Sequence, residues 1–153
     1  IYFGFEGCDA AQKAAEIIVK AFNSQLLLID SEAKPLYHAA ACVLSNYMVV
    51  LSYIADGLLS AAGLDKGVGV KALAPLAAKT VKNIDLLGAE GALTGPVSRG
   101  DFGVIEQHLD AMRRKCPEFI DVYRRLGSTA LEIAIKKGSV SGENEIKLRE
   151  LLT

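Results

Sequence analysis

The sequence predicts a mainly α-helical protein, a helical bundle that follows a short β-α-β unit. A strand, a helix and a second strand can be read in residues 1–31, and no convincing strand recurs in residues 32–153. Apolar side chains in that second part repeat at helical spacing. The 153 residues are enough for one well-buried core. We therefore expect a piece of one domain at 1–31 and a helical domain at 32–153.

The β-α-β unit is expected to contain strands at Tyr2–Phe5 and Leu26–Ile29. Between them an Ala-rich helix should begin with Asp9 as its N-cap and end near Phe22. Asp30 is expected to cap the turn that follows. Continuous apolar strands joined by a helix are typical of a parallel sheet, and two strands alone cannot cover themselves. This pattern predicts that the chain begins inside a larger protein.

A long helix is predicted from near Pro35 to Gly63, and it is apolar nearly all round. Such a helix is either buried at the centre of a bundle or spans a membrane. Polar residues recur along it, among them Asp56, and the other predicted helices are amphipathic. We therefore expect a buried central helix in a water-soluble homodimer, and no membrane partner.

Four further helical segments are predicted: Val68–Leu87, Asp101–Lys115, Pro117–Gly138 and Glu143–Leu152. Pro75 should kink or split the first of them, and Asp101 should cap the second. The residues between these two, 88–100, are predicted to form a loop.

Composition excludes several classes of protein. The net charge of −1 disfavours a nucleic-acid partner. Cys8, Cys42 and Cys116 are widely spaced and only two histidines accompany them, so neither a metal site nor a disulfide framework is expected. This cysteine usage and the lack of a signal-peptide pattern favour the cytoplasm.

The stretch Thr94–Asp101 combines turn-forming residues, hydroxyls, Arg99 and an N-capping acid between two apolar helices. Arg99 and the N-terminus of the following helix could together hold a carboxylate or phosphate. The alternative is a tight turn between helices, in which Asp101 only caps the helix and Arg99 is solvated.

His38, Ser45 and Asn46 are the polar candidates on the long helix. At about 100° per residue, Ser45 lies almost under His38 and Asn46 is offset by roughly 80°. A histidine that titrates near neutral pH and an amide that can donate to a carbonyl suit the reduction of a carbonyl or imine. The alternative is a core histidine bonded to backbone and an asparagine that ties two helices together.

The chain contains no GxGxxG sequence between a strand and a helix. Gly67 and Gly69, for example, do not follow a strand. The chain is therefore expected to bind NADP weakly or not at all.

Three stretches carry a resemblance to a known family: Tyr37-His38-Ala39-Ala40-Ala41, Ser45-Asn46-Tyr47, and the run Ala92 to Asp101. Over residues 1 to about 138 the chain resembles an uncharacterised family of Rossmann-like oxidoreductases with a helical C-terminal domain. That family is similar to pyrroline-5-carboxylate reductase, ketopantoate reductase and the 6-phosphogluconate dehydrogenase group. The resemblance implies a helical bundle of the 6-phosphogluconate dehydrogenase C-terminal type, which dimerises and completes a substrate cleft. It also implies NADP as cofactor, bound mainly by an N-terminal domain outside this sequence.

The resemblance also implies functional residues. His38 and Asn46 would be catalytic, as acid/base and carbonyl orienter. A second set of residues would bind a small carbonyl, imine or hydroxy acid: Ser45, Thr94, Gly95, Pro96, Arg99 and Asp101. Relatives use a lysine on the long helix, whereas this chain has none between His38 and Lys66, so their chemistry does not transfer directly. The alternative function is a non-catalytic helical module for oligomerisation or ligand sensing.

Overall fold

The structure is a computed structural model that describes all 153 residues. Two parallel strands, β1 (Tyr2–Phe5) and β2 (Gln25–Leu28), are joined by helix α1 (Asp9–Ala21). Tyr2 pairs with Gln25 and Phe5 with Leu28. The remaining helices are all in the rest of the chain: α2 (Lys34–Ala41), α3 (Tyr47–Ala61), α4 (Val68–Ala92), α5 (Phe102–Lys115), α6 (Ile120–Lys136) and α7 (Gly142–Leu152). The predicted fold class, mainly helical with a β-α-β unit at its start, is confirmed.

The chain divides into two compact units, Ile1–Leu51 and Ser52–Thr153. This division falls within a continuous helical segment, Lys34–Ala61, which we call the long helix. It consists of α2, a π-helical turn at Cys42–Asn46, and α3. The predicted domain boundary after residue 31 coincides with the change from the β-α-β unit to helices, and it stays a prediction.

Within the first unit, the start of α1 differs from expectation. Cys8 occupies the N-cap position and Asp9 is the first helical residue. Asp9 still places a negative charge in the first turn, where it favours the helix dipole. Asp30 behaves as predicted, because its carboxylate accepts a hydrogen bond of 3.1 Å from the backbone N–H of Glu32.

The structure of α4 differs from two predictions. Pro75 lies inside the helix, and the residue with non-helical torsion angles is Gly88, with φ of 70° and ψ of 170°. This conformation is easily adopted only by glycine, which explains why the interruption lies at Gly88. Residues 89–92 are again helical, so the first part of the predicted loop 88–100 belongs to α4.

The hydrophobic core lies in the second unit, where α5, α6 and α7 form a three-helix bundle. Ile105, Leu109, Leu131 and Leu148 are almost completely buried. Val97, in a short 3-10 turn before α5, packs against the same cluster. The apolar faces of these amphipathic helices therefore cover one another.

The long helix is largely exposed within the single chain. None of the residues in its most apolar 18-residue window is buried there, and its burial in a homodimer stays a prediction. Its length and composition would suit a membrane span, a criterion that the core helix of a soluble protein also meets. Near its C-terminal end, the ring of Phe119 lies against Gly57, where any side chain would collide with it. That end of the long helix therefore packs within the second unit.

Candidate functional site

Two of the three predicted residues on the long helix, His38 and Asn46, lie in one row with Cys42. The His38 Nε2 atom lies 3.6 Å from the Cys42 Sγ atom, and the Asn46 amide donates to the same sulfur at 3.9 Å. These three residues are spaced four apart. Their side chains therefore form a continuous polar row on an otherwise apolar helix.

A π-helical turn at Cys42–Asn46 forms the second half of this row. An ideal α-helix would place Ser45 under His38 and turn Asn46 away. A turn with i→i+5 hydrogen bonding is wider, so the residues that follow it are rotated relative to a regular helix. Asn46 is linked to His38 through Cys42, by contacts between residues four apart, and the Ser45 hydroxyl makes no hydrogen bond within the chain. Such turns occur frequently at functional sites.

His38 is exposed, and its only polar contact is the thiol of Cys42. It is not sealed in a core, and it does not bond to backbone, as a purely structural histidine would. Asn46 is also exposed, and Cys42 is half-buried. The imidazole and the amide are both accessible to a small molecule.

The second predicted set of residues forms a compact turn before α5. The Asp101 N–H donates to the Pro96 carbonyl at 2.9 Å, and the Arg99 N–H donates to the Gly95 carbonyl at 3.2 Å. Gly95 and Gly100 both have positive φ, 93° and 70°, which these tight turns require. The backbone of this segment is therefore held by its own hydrogen bonds.

Within this turn, Asp101 and Arg99 differ in their surroundings. The Asp101 carboxylate caps α5 by accepting from the Val104 N–H at 3.3 Å, as predicted. The buried Ser98 hydroxyl donates to the Leu93 carbonyl at 3.4 Å. Arg99 is exposed, and its guanidinium forms no ion pair in the chain. Thr94 is exposed as well. The turn thus combines two features. The Asp101 carboxylate caps a helix, which is typical of a structural turn, and the unpaired Arg99 guanidinium could bind an anion.

The two sets of residues belong to different compact units, His38 to Asn46 in the first and 94–101 in the second. Each set is assembled locally, by one helix in one case and one turn in the other.

A family of proteins matches most of this chain. The family is described as a domain of unknown function (DUF2520), and it matches residues 1–130. The chain belongs to this family. Both predicted motifs, on the long helix and in the turn before α5, lie inside the matched residues.

One solved structure of similar fold is the crystal structure of protein TM1727 from Thermotoga maritima. It matches with a TM-score of 0.74 and 28% sequence identity over 90% of this chain. The match covers 55% of TM1727, so this DUF2520 chain spans about half the length of that protein. No curated protein matches the chain.

Two polar features of this DUF2520 chain were not predicted. Cys42 could have been recognised from the sequence, because it lies four residues after His38 and four before Asn46. His108 and Tyr123 form a hydrogen bond of 2.8 Å between α5 and α6. They are 15 residues apart on separate helices, and no spacing pattern indicates their contact.

Proposed function

We propose that this chain is the C-terminal part of an NADP-dependent oxidoreductase that acts on a small carbonyl, imine or hydroxy acid. Its part is to supply the dimer interface and substrate-binding groups. The observation that carries the proposal is the row of His38, Cys42 and Asn46 at the π-helical turn. The similarity of the family to pyrroline-5-carboxylate reductase, ketopantoate reductase and the 6-phosphogluconate dehydrogenase group, which the sequence resemblance implies, supports it.

The residues of this chain do not fit the phosphates of NADP. A dinucleotide needs glycines and free N–H groups where a strand leads into a helix. Here β1 leads into α1 through Cys8, and Asp9 places a carboxylate in the first turn. That charge would repel a phosphate. On this proposal NADP is held by an N-terminal domain outside this sequence.

The side chains of the row suit proton transfer at a substrate oxygen or nitrogen. His38 would give a proton to the oxygen of a carbonyl that is being reduced, or take it back in the reverse direction. Asn46 would donate a hydrogen bond to the same group and so orient it. Cys42 is a positioning residue, because it contacts His38 and Asn46 and sets their spacing.

Arg99, in the second compact unit, would bind an acidic group of a small molecule. Its guanidinium is exposed and unpaired, and arginine binds carboxylates through two parallel hydrogen bonds. A hydroxy acid or keto acid carries such a group. Asp101 would serve this anchor indirectly, by holding the turn through its cap on Val104.

The uncovered apolar faces support a homodimer. Leu44 and Val49 on the long helix and Leu76 and Leu86 on α4 are each more than half exposed. An apolar helix in a soluble protein needs neighbours on its open faces, and a second copy of the same helices provides them. Asp56 favours this solution over a membrane span. Its carboxylate accepts a hydrogen bond of 2.9 Å from the Gly67 N–H and so fixes the turn between α3 and α4.

The test uses His38→Gln in the full-length protein. NADPH oxidation is followed with a panel of keto acids and cyclic imines, and NADP binding is measured by calorimetry. We expect turnover to fall about 10²- to 10⁴-fold while NADP affinity and thermal stability stay unchanged. Cys42→Ala should lower turnover less, and Cys42→Ser should restore part of it. Unchanged turnover in His38→Gln, or micromolar NADP binding by the present chain alone, would contradict the proposal.

A further inference from the structure

A groove of about 420 Å³ lies within the second compact unit, and the proposed function does not use it. Its volume is in the usual range of small-molecule pockets, roughly 300–1,000 Å³. The walls are mainly apolar and come from Leu58, Ala61 and Ala62 near the end of α3 and from Ala111 and Met112 on α5. Three alanines on these walls leave the space that larger side chains would fill.

Two hydrogen-bonding rings form one side of this groove. The His108 Nδ1 atom lies 2.8 Å from the Tyr123 hydroxyl, and the two rings meet edge to face with centroids 6.0 Å apart. Burial raises the pKa of Tyr123 above its ordinary value, so the phenol keeps its proton at neutral pH. The tautomer whose Nδ1 accepts from the phenol carries its proton on Nε2. In that tautomer the pair offers one imidazole N–H as a donor.

The charge of the groove has one sign. Lys115 is its charged residue, no Asp or Glu lines it, and Lys115 forms no ion pair in the chain. An unpaired ammonium beside an apolar surface attracts an anion that has an apolar body. One ammonium and one imidazole N–H match the two oxygens of a single carboxylate, whereas a diphosphate would need more donors.

We propose that this groove binds a small amphipathic monocarboxylate. The carboxylate would lie against Lys115 and His108, and the apolar body would lie against Leu58, Met112 and the alanines. Such a site is independent of His38 and Asn46.

The binding test uses octanoate as the probe and 1-octanol as its uncharged counterpart, with calorimetric titration of the full chain. We expect saturable 1:1 binding of octanoate and at least about tenfold weaker binding of octanol. Lys115→Met should lower octanoate affinity about tenfold and leave octanol affinity unchanged. Arg114→Met is the matched control, because Arg114 is the preceding cation on α5 and does not line the groove. It should leave both affinities unchanged.

The variant Ala111→Leu distinguishes a ligand site from a contact surface between two copies of the chain. The larger side chain should fill the space and abolish octanoate binding while the thermal unfolding midpoint and the sedimentation coefficient stay the same. Octanoate binding that is absent in the parent chain, or equal in the parent chain and Lys115→Met, overturns the proposal. A changed sedimentation coefficient in Ala111→Leu also overturns it, because the groove would then be a contact between two copies.

Discussion

Apolar side chains are buried in the three-helix bundle of α5, α6 and α7, whereas those of the long helix are exposed. Leu109 and Leu148 in the bundle are 0% exposed, whereas Val49 on the long helix is 70% exposed. The bundle helices alternate apolar and charged faces, so three of them can close a core within one chain. The long helix is apolar on most of its surface, apart from the row of His38, Cys42 and Asn46, and these apolar faces are not covered within one chain. High apolar content therefore marks the part of this chain that stays uncovered within one copy, and amphipathic spacing marks the part that folds on itself.

The sharpest test of this contrast compares two leucines in the bundle. Leu109→Ala removes a fully buried side chain at the centre of the core and should lower the free energy of unfolding by about 2–5 kcal/mol. Leu126→Ala, at a position on α6 that is 47% exposed, should change it by about 0.5 kcal/mol or less. Denaturant unfolding followed by circular dichroism measures both values. Equal losses would mean that the core does not lie where the burial pattern places it.

A second test addresses the uncovered faces. Val49→Glu places a charge on the long helix and should raise the dissociation constant of the proposed homodimer at least tenfold, about 1.4 kcal/mol. Ile146→Glu is the matched control, because Ile146 is 59% exposed but lies on α7 in the bundle. Analytical ultracentrifugation without detergent measures the change. A monomeric parent chain would contradict the homodimer, and a requirement for detergent would favour a membrane span.

Local signals in the sequence predicted much of this fold. Asp101 caps α5, and Gly138 adopts the positive φ of 74° that follows α6. Both roles depend only on neighbouring residues in the sequence. Their roles can therefore be read from residue type and spacing. The interruption of α4 was predicted at Pro75, because proline removes a donor wherever it stands. It occurs at Gly88 because the torsion angles there suit only glycine.

In the candidate site too, contacts within one helix could be predicted from the sequence and contacts between helices could not. His38 and Asn46 were predicted from a motif on one helix, and their spacing survives because they share that helix. Their relation to Ser45 was predicted for a regular helix, whereas the structure has a π-helical turn at Cys42–Asn46. The groove between α3 and α5 was not predicted at all, because it depends on how helices far apart in the sequence pack. Spacing along one helix can be read from sequence, whereas the space left between helices cannot.

The smallest expected effect concerns the turn before α5, where local hydrogen bonds rather than apolar packing hold the backbone. Asp101→Ala removes the carboxylate that accepts from the Val104 N–H and should lower the free energy of unfolding by about 0.5–2 kcal/mol. Asp101→Asn keeps an acceptor at the cap and should recover most of that loss, which separates capping from any effect of the charge. Denaturant unfolding measures stability, and hydrogen exchange of the amides of Phe102, Gly103 and Val104 locates the change. An Asp101→Asn variant as unstable as Asp101→Ala would show that the negative charge, and not the hydrogen bond, stabilises this turn.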